Sequence, residues 1–331
     1  MASDAILVVG GAGYIGSHCV RELKARGHNV VCYDNLTEGH RLAVGDTPLV
    51  VGDLGDEARL DQVFTKTKVE AVFHFAANCY VGESCEDPEK YYFNNVAKTL
   101  CLLRAMRRHK VQRFIFSSTA ATFGNPVRPA IDETHPQSPI NPYGRTKLMV
   151  ENVLADYAAA YKMQYVALRY FNAAGAAEGG DIGEDHDPET HLIPLVLNVP
   201  LGRRESIKIF GDDYPTPDGT CIRDYIHILD LAEAHILGLE YLRKGGASGG
   251  FNLGNGKGYS VREVIKTAEE IVGKPIKADV VARRAGDPAI LIADYSRARE
   301  VLGWKQRYGD LKTIIRTAWE WHRKHPNGYD D

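Results

Sequence analysis

The sequence lacks long apolar runs and lacks an excess of charge of one sign. No uninterrupted apolar segment approaches the about 20 residues that span a membrane. Lys and Arg number 40 against 43 Asp and Glu, a formal net charge of −3, which argues against a general nucleic-acid binding surface. We therefore expect neither a membrane nor a nucleic acid as a partner. The 331 residues, 44% hydrophobic and 25% charged, are typical of a folded chain of about two domains.

The six cysteines are scattered, and no two of them form a C-x-x-C pair. No cysteine–histidine cluster has the spacing of zinc ligands, so we expect no metal site. Cys19, Cys32 and Cys101 lie in apolar surroundings and are expected to be buried. The amino terminus, MASDAILVVGGAG, has neither the basic region nor the cleavage site of a secretory leader. We expect reduced thiols and a cytoplasmic location.

Strand and helix patterns alternate along the first half of the chain. Short apolar runs predict buried strands, and apolar residues at helical spacing predict helices between them. This alternation is typical of an α/β fold with a doubly wound parallel sheet of Rossmann type, covered by helices on both faces. Strands are predicted over 5–10, 29–33, 49–51, 71–75, 113–116 and 164–168, and helices over 14–26, 56–65, 88–109 and 143–161.

The pattern changes after about residue 173, where loops rich in Gly, Asp and Pro dominate. We expect a first domain over residues 1–175 and a smaller C-terminal α/β domain over 176–331, with segments around 225–255 returning to the first. Because parallel sheets bind ligands beyond the carboxyl ends of their strands, functional residues are expected there. In the second half, helices are predicted over 229–242, 260–272 and 310–322.

A glycine-rich loop joins the first predicted strand to the first predicted helix. Gly10, Gly11, Gly13 and Gly16 fit both G-x-G-x-x-G and G-x-x-G-x-x-G, spacings that let a backbone approach a pyrophosphate at a helix N-terminus. Asp34 ends the second predicted strand, where a carboxylate accepts hydrogen bonds from a ribose and repels a 2′-phosphate. The pattern favours NAD over NADP. The alternative is a glycine-rich turn without a ligand.

Two further strand ends are candidates for cofactor contacts. Asp53 follows the third predicted strand, where it is placed to meet an adenine edge. Phe75, Ala76 and Ala77 follow the fourth, where they are placed to line the pyrophosphate and the nicotinamide ribose. Ordinary loop packing at each of these positions is an equally good interpretation.

Tyr143 and Lys147 form a Y-x-x-x-K pair, which places both side chains on one helix face. An ammonium group and a positively charged nicotinamide ring favour phenolate and lower the pKa of a tyrosine, which suits removal of a proton from an alcohol. Without context such a pair is more often a surface feature. Here an Asn-Pro pair at 141–142 starts the helix, and the fifth strand ends in hydroxyl residues at 117–119 that can share a substrate proton.

Taken in order along nearly the whole chain, these motifs resemble the extended short-chain dehydrogenase/reductase family, and within it the UDP-glucose 4-epimerases. The resemblance implies an isomerase of carbohydrate metabolism that binds NAD tightly. It implies reversible hydride transfer at C4 through a 4-ketosugar, which interconverts UDP-glucose and UDP-galactose. The matching segments are GGAGYIGSH (10–18), YDNL (33–36), HFAA (74–77), VGES (81–84), NNV (94–96), FSST (116–119), NPYGRTKLMVE (141–151), RYFNAAGA (169–176), GDDYPTPDGTCIRDYIHILDLA (211–232), FNLGNGKGYSV (251–261) and RRAGDP (283–288).

The resemblance also assigns roles around the cofactor. Tyr143 is implied to be the base for the sugar 4-hydroxyl, Lys147 to hold the nicotinamide ribose, and Thr119 to take the place of the family's catalytic serine. The residues implied to bind NAD are Gly10, Gly13, Tyr14, Ile15, Gly16, Asp34, Asn35, Asp53, Leu54, Phe75, Ala76, Ala77, Asn95, Ser117, Tyr143, Lys147 and Tyr170.

A second set of residues is implied to bind the UDP-sugar. Arg223 and Arg284 match diphosphate-binding arginines of the family, since guanidinium forks suit anionic oxygens. Asp287 matches a carboxylate that meets the uridine ribose, and Phe210 lies where the uracil pocket forms. For Arg223 the alternative is a salt bridge with Asp224. The full set is Thr119, Tyr143, Phe171, Asn172, His191, Leu192, Lys208, Phe210, Arg223, Tyr225, Arg284, Asp287 and Leu291.

Three positions depart from some members of the family. Cys79 stands in place of a lysine near the sugar, and His191 stands in place of an asparagine. Leu291 falls where a tyrosine narrows the pocket for an N-acetyl group and a cysteine or serine opens it. UDP-N-acetylhexosamines and UDP-pentoses therefore remain alternative substrates.

Two other functional classes share these motifs. The 4,6-dehydratases carry an acidic pair directly after the fifth-strand hydroxyls, whereas Ala120 and Ala121 follow Thr119 here. Regulators that only sense NAD typically lose the tyrosine or the lysine, and both Tyr143 and Lys147 are present. The pathway, galactose use or supply of UDP-galactose for polysaccharide, stays open.

A homodimer is expected from the same resemblance, through a four-helix contact of the predicted helices 88–109 and 143–161. A helix that covers the sheet would show the same apolar pattern. The apolar positions expected to be available for the contact are Leu100, Leu103, Met106, Met149 and Val153.

Overall fold

A seven-stranded parallel sheet is the centre of the computed structural model, which describes residues 4–284 and 287–330. The strands are β1 (Ala5–Val9), β2 (Asn29–Asp34), β3 (Leu49–Val51), β4 (Val69–His74), β5 (Arg113–Thr119), β6 (Gln164–Tyr170), β7 (Asn172–Ala174), β8 (Ile207–Phe210), β9 (Ile222–Arg223), β10 (Tyr225–His227), β11 (Gly249–Leu253), β12 (Tyr259–Ser260), β13 (Ala278–Val281) and β14 (Ile290–Leu291). The large sheet has the order β11-β6-β5-β4-β1-β2-β3. This confirms the predicted Rossmann-type sheet.

Helices connect and cover these strands. They are α1 (Tyr14–Ala25), α2 (Glu57–Lys66), α3 (Val81–Glu86), α4 (Pro88–Tyr91), α5 (Lys98–Arg108), α6 (Pro142–Tyr161), α7 (Leu192–Asn198), α8 (Ile228–Arg243), α9 (Val261–Val272) and α10 (Leu311–Lys324). A π-helical turn over Tyr92–Ala97 joins α4 to α5, so the single predicted helix 88–109 is interrupted near its middle. Among the residues described, no helix combines the length and the apolar character that crossing a membrane requires.

The sheet is covered on both faces because its inner strand β1 is apolar on both sides. All five residues of β1 are buried. Ile6 and Val8 join one core with α1 and α8, whereas Leu7 and Val9 join another core with α2, α5 and α6. Each buried Val, Leu or Ile stabilises the fold by about 2 kcal/mol, so this strand anchors both layers.

The segment from Ile228 to Leu253 packs on the large sheet although it follows the substrate loops in sequence. Helix α8 contacts α1, β5 and β6, and β11 adds the edge strand by pairing parallel to β6. Phe251 is fully buried there, and the Arg297 guanidinium lies 4.8 Å from its ring centroid. The division of the chain near residue 175 into two functional domains stays a prediction.

A third core lies between α7, α9 and α10 and the short strands of the second half. Strands β8 and β13 pair with each other, β7 pairs with β10, and β9 lies between β12 and β14. Sequence patterns did not predict these strands, because strands of two to four residues leave no measurable periodicity.

The predicted apolar surface of α5 needs a correction. Leu103 and Met106 are fully buried in the core beneath the sheet, so they are not available to a partner. Met149 on α6 is 43% exposed, and Phe93 in the π-helical turn is 63% exposed. Cys101 on α5 is only partly buried, because it lies at the margin of that core.

We expect Phe251→Ala to lower the free energy of unfolding by about 3–5 kcal/mol, because it empties a fully buried ring site between β11 and α8. Val280→Ala, on a residue that is 46% exposed in β13, is the control and should change the free energy by less than about 0.5 kcal/mol. Urea unfolding of both variants measures the difference. Equal midpoints would contradict the placement of β11 in the core.

Candidate active site

The loop between β1 and α1 brings backbone close to backbone. Gly10 has a φ of +76°, and a Cβ at this residue would overlap the backbone of Ala76 after β4. A Cβ at Gly16 would overlap the carbonyl oxygen of Gly10. Gly13 precedes α1 without a capping side chain, and the first turn of the helix holds no acidic residue. The loop therefore presents free N–H groups and the positive end of a helix dipole to an anion.

Tyr14 and Ile15 anchor the start of α1. The Tyr14 hydroxyl donates to the carbonyl oxygen of Gly175 at 2.6 Å, which ties the glycine loop to the segment after β7. Ile15 packs against the core that α1 and α8 share. Both predicted cofactor residues thus lie at the glycine loop, with side chains directed into protein contacts.

Asp34 ends β2 beside this loop. Its Oδ2 accepts a hydrogen bond from the Ala12 N–H at 2.9 Å, and its Oδ1 accepts one from the Leu36 N–H at 2.8 Å. Burial raises the pKa of Asp34, and these backbone hydrogen bonds oppose the rise. Each carboxylate oxygen retains a lone pair with which it can accept from a ribose hydroxyl.

Asp53 and Asn35 lie together at the next strand end. Asp53 Oδ2 accepts from Lys98 Nζ at 2.7 Å and from Asn35 Nδ2 at 3.3 Å. Burial alone would raise the pKa of Asp53, but the hydrogen bonds from Lys98 and the Gly55 N–H outweigh it and hold the pKa below its ordinary value. Leu54, the neighbouring residue, is buried in the core.

Phe75, Ala76 and Ala77 continue from the carboxyl end of β4. The N–H groups of Phe75 and Ala76 both donate to the carbonyl oxygen of Val9, at 2.8 and 3.2 Å. This holds the segment against the glycine loop, and its contact with a pyrophosphate stays a prediction. Together, the uncapped helix, the glycine cradle and the Asp34 carboxylate fit an adenine dinucleotide such as NAD.

Helix α6 places the predicted catalytic pair. Asn141 accepts from the Gly144 N–H at 2.8 Å and Pro142 occupies the first turn, a combination that starts a helix sharply. Lys147, one turn after Tyr143, is buried and donates to the carbonyl oxygen of Ser117 at 2.9 Å. Burial lowers the pKa of Lys147 to about 8.

Tyr143 is buried beside Lys147 and Thr119. The Lys147 Nζ lies 5.9 Å from the centroid of its ring. Burial raises the pKa of Tyr143 well above its ordinary value, whereas its hydrogen bond with Thr119 acts in the opposite direction. The chain alone therefore does not lower the pKa of Tyr143 as the sequence led us to expect, because burial outweighs the hydrogen bond with Thr119.

Three more predicted cofactor residues surround the pair. The Ser117 and Tyr170 hydroxyls are hydrogen-bonded at 2.5 Å, across neighbouring strands β5 and β6. Asn95 lies in the π-helical turn, where its side chain joins the backbone of Asn78 and, through Nδ2, the Thr146 hydroxyl at 3.1 Å. The buried Asn95 side chain therefore links the segment after β4 to α6 through hydrogen bonds.

The two arginines predicted to bind the diphosphate each contact another residue that is predicted to bind the substrate. Arg223 is ion-paired with Asp287, and it also donates to the Ile222 carbonyl oxygen at 2.7 Å. The alternative pairing of Arg223 with Asp224 is absent among the described contacts. The Arg284 guanidinium lies 3.9 Å from the centroid of the Phe210 ring.

Asp224 is a residue whose importance the sequence did not show. It is fully buried and its carboxylate accepts from the N–H groups of Asn255 (2.6 Å), Gly256 (3.0 Å) and Ala293 (3.0 Å). Its backbone oxygen accepts from Asn172 Nδ2 at 2.7 Å. The one hint in the sequence was its position between two predicted substrate residues, Arg223 and Tyr225. Its hydrogen-bond partners could not be predicted, because they are separated from it by 31 or more positions in sequence.

The remaining predicted substrate residues lie around this centre. Leu291 pairs with Arg223 in register between β14 and β9, and Tyr225 pairs with Asn172 between β10 and β7. The Phe171 N–H donates to the Leu253 carbonyl oxygen at 3.3 Å.

Lys208, His191 and Leu192 are each engaged within the protein. Lys208 on β8 donates to Asp279 at 2.7 Å. His191 precedes α7 and is paired with Glu184 and Glu189, while Leu192 packs against the third core. Ala285 and Gly286, inside the RRAGDP segment, lie outside the described residues.

A comparison with protein-family models matches residues 6–254 to the NAD dependent epimerase/dehydratase family. The match covers the glycine loop, the Tyr143–Lys147 pair and Arg223. The chain belongs to this family. Membership is consistent with the Rossmann-type sheet and with the dinucleotide geometry of the loop.

Individual family members are similar over nearly the full length. The UDP-glucose 4-epimerase of Halalkalibacterium halodurans is 55% identical over 98% of this chain and 97% of its own. A crystal structure of a UDP-glucose 4-epimerase superposes with a TM-score of 0.98 at 54% identity, covering 99% of this chain and 100% of the other. The UDP-glucose 4-epimerase of Brucella ovis in complex with NAD superposes with a TM-score of 0.94 at 53% identity, over 96% and 98% of the two chains.

We expect Gly16→Ala to reduce NAD binding about 100-fold or more, because its Cβ would overlap the Gly10 carbonyl oxygen and push the loop away from α1. Gly82→Ala is the control, since a Cβ at Gly82 meets nothing within 4 Å. Titration of each NAD-stripped protein with NAD measures the effect. Wild-type affinity in Gly16→Ala would refute this loop as the pyrophosphate site.

Proposed function

We propose that this chain is a UDP-glucose 4-epimerase, an isomerase that interconverts UDP-glucose and UDP-galactose by reversible hydride transfer at C4. The observation that carries the proposal is the placement of Tyr143, Lys147 and Thr119 together at the carboxyl end of β5, beside the glycine loop. A proton acceptor and a dinucleotide site at one sheet edge are what oxidation of a sugar hydroxyl needs. The named relatives support the same reaction.

NAD is the cofactor, and when bound it supplies the acceptor and later the donor of the C4 hydride. Gly10, Gly13 and Gly16 would hold its pyrophosphate, Asp34 its adenosine ribose and Lys147 its nicotinamide ribose. The uncapped start of α1 and the free lone pairs of Asp34 are the features of this chain that fit it. The acidic side chain at the end of β2 disfavours a 2′-phosphate, which supports NAD rather than NADP.

Tyr143 is the group that removes the proton of the 4-hydroxyl. Its high pKa in the chain alone means that phenolate must be stabilised by positive charge when the ligands are bound. Lys147 contributes a buried ammonium one helical turn away, and Thr119 contributes a hydroxyl that hydrogen-bonds to the phenol. Because a proton leaves on oxidation and returns on reduction, the same Tyr143 oxygen accepts and then donates it.

The substrate residues support a site that holds the nucleotide firmly. In this proposal Arg223 and Arg284 bind the two phosphates, and Asp287 binds the uridine ribose. Since Arg223 and Asp287 are ion-paired here, binding would exchange or share that pair. Anchoring at the diphosphate leaves the 4-ketosugar free to turn and present its other face, which inverts C4.

A second candidate function is 4-epimerisation of UDP-N-acetylhexosamines or UDP-pentoses by the same steps. The observation that favours it is Leu291, which lies opposite Arg223 on β14 and is smaller than tyrosine. Its side chain is intermediate between residues that narrow and residues that open the pocket. A 4,6-dehydratase is less well supported, because Ala120 and Ala121 follow Thr119.

Assembly, location and pathway belong to the same proposal. We infer a homodimer through α5, α6 and the π-helical turn, supported by the exposure of Phe93, Met149 and Tyr161 at 63%, 43% and 44%. The balanced charge and scattered cysteines support a cytoplasmic enzyme, and the reaction supports a role in galactose metabolism.

We expect Tyr143→Phe to lower kcat for UDP-galactose about 100-fold or more, because it removes the proton acceptor while preserving the ring. NAD and UDP binding should be retained. Tyr161→Phe, at the exposed end of the same helix, is the control and should keep full turnover. Steady-state kinetics with separate binding titrations tests this, and undiminished turnover of Tyr143→Phe would exclude Tyr143 as the base.

Parallel assays with UDP-galactose, UDP-N-acetylglucosamine and UDP-xylose test which substrates are accepted. For Leu291→Tyr we expect UDP-galactose turnover to persist, while any turnover of the N-acetylated sugar falls about tenfold or more, because the larger ring fills the extra space. Equal losses for both sugars would show that Leu291 does not control this part of the pocket.

A further inference from the structure

Four ionisable side chains that take no part in the proposed proton and hydride transfer converge in the loop between β7 and α7. Glu184, His186, Glu189 and His191 each direct one potential ligand atom to a common point, and these atoms all lie within 4.8 Å of one another. The residues follow the pattern E-x-H-x-x-E-x-H. Sequence spacing predicted no metal site because only cysteine–histidine clusters were considered.

Hydrogen bonds within the protein satisfy Glu189 Oε1 but leave two other buried atoms of this cluster without a partner. Glu184 is 4% exposed, and its Oε1 has no hydrogen-bond partner although His191 Nδ1 lies 2.9 Å away. The His186 Nδ1 is likewise buried without a hydrogen bond, 3.3 Å from the same oxygen. His191 Nδ1 is also 2.9 Å from Glu189 Oε1, and one ring N–H cannot point at two carboxylates.

The distances between these atoms match the edges of a small coordination polyhedron. A tetrahedral ion with ligands at about 2.0–2.1 Å separates its ligand atoms by about 3.3 Å. His191 Nδ1 lies 2.9 Å from both Glu184 Oε1 and Glu189 Oε1, and His186 Nδ1 lies 3.3 Å from Glu184 Oε1 and 3.7 Å from the other Glu189 oxygen, Oε2. Two carboxylates neutralise a divalent ion, and two imidazoles with two carboxylates form a donor set that suits zinc.

We propose that Glu184, His186, Glu189 and His191 bind one divalent transition-metal ion, with zinc as the ion that the donor set favours. The rings of Tyr14 and Tyr80 lie edge-on to His186, at centroid distances of 6.1 and 6.3 Å. All four ligands come from eight consecutive residues. The ion would therefore cross-link the loop that leads into α7.

This cross-link would affect the neighbouring pocket that is predicted to bind the UDP-sugar. His191 is the residue before α7, and Leu192 is the first residue of that helix. Both are among the residues expected to contact the UDP-sugar, so the ion would position them rather than take part in the chemistry. The site is independent of the proposed function, because its occupancy is measured without substrate.

The test uses the untagged full-length protein, first treated with a chelator and then dialysed against a small excess of Zn²⁺. We expect one zinc per chain by elemental analysis, and a rise in Tm when zinc is added. Co²⁺ in place of Zn²⁺ should give the visible absorption of a four-coordinate ion with nitrogen and oxygen ligands. His186→Gln should weaken zinc binding about 100-fold or more and abolish the rise in Tm.

His109→Gln is the matched control, since His109 is also paired with a carboxylate, Asp61, at 3.0 Å but lies outside the cluster. It should bind zinc as the wild type does. Substoichiometric zinc in the wild-type protein, or a six-coordinate cobalt spectrum, would overturn the proposal and leave an ion-pair network only. Undiminished binding by His186→Gln would also overturn it, and the wild-type cobalt spectrum decides the matter if that variant does not fold.

Discussion

The hydrogen bond from the buried Lys147 ammonium to the Ser117 carbonyl is the contact on which the reacting groups depend. It joins α6 to the carboxyl end of β5 at 2.9 Å. Burial makes the charge costly, as the lowered pKa of Lys147 shows, so the ammonium holds the carbonyl tightly. Tyr143, one turn earlier on α6, is thereby set beside Thr119, the last residue of β5. A lysine that reached solvent would leave the helix free to shift along the strand.

Asp224 plays the corresponding part on the substrate side. A single buried carboxylate collects three backbone N–H groups from two distant loops, and this fixes the strands that carry Arg223, Leu291 and Asn172. Hydrogen bonds to a charged acceptor are among the stronger ones, and losing the acceptor would leave three buried donors unsatisfied. Both halves of the site therefore rest on a buried ionisable group that contacts backbone rather than ligand.

Much of the first half could be predicted from sequence for a local reason. Apolar runs such as 5–9 are long enough to show a buried strand, the i and i+4 spacing of Tyr143 and Lys147 is a property of one helix, and the glycine pattern is contiguous. The helices α8, α9 and α10 of the second half were also predicted close to their observed bounds. The strands of that half resisted prediction because most have two to four residues and their contacts join distant positions. The ion pair of Arg223 with Asp287 spans 64 residues, whereas the ion pair that the sequence offered as the alternative for Arg223 was with the adjacent Asp224.

The sequence by itself determined the alternation of strands and helices and the dinucleotide loop, and it predicted the catalytic pair, because each depends on residues close in the chain. Only the tertiary structure decided which apolar residues of α5 are buried, which carboxylate pairs with Arg223, and that two glutamates and two histidines meet before α7. It also showed that the chain alone raises rather than lowers the pKa of Tyr143. These outcomes depend on packing and pairing between segments that are distant in the chain, which local sequence does not specify.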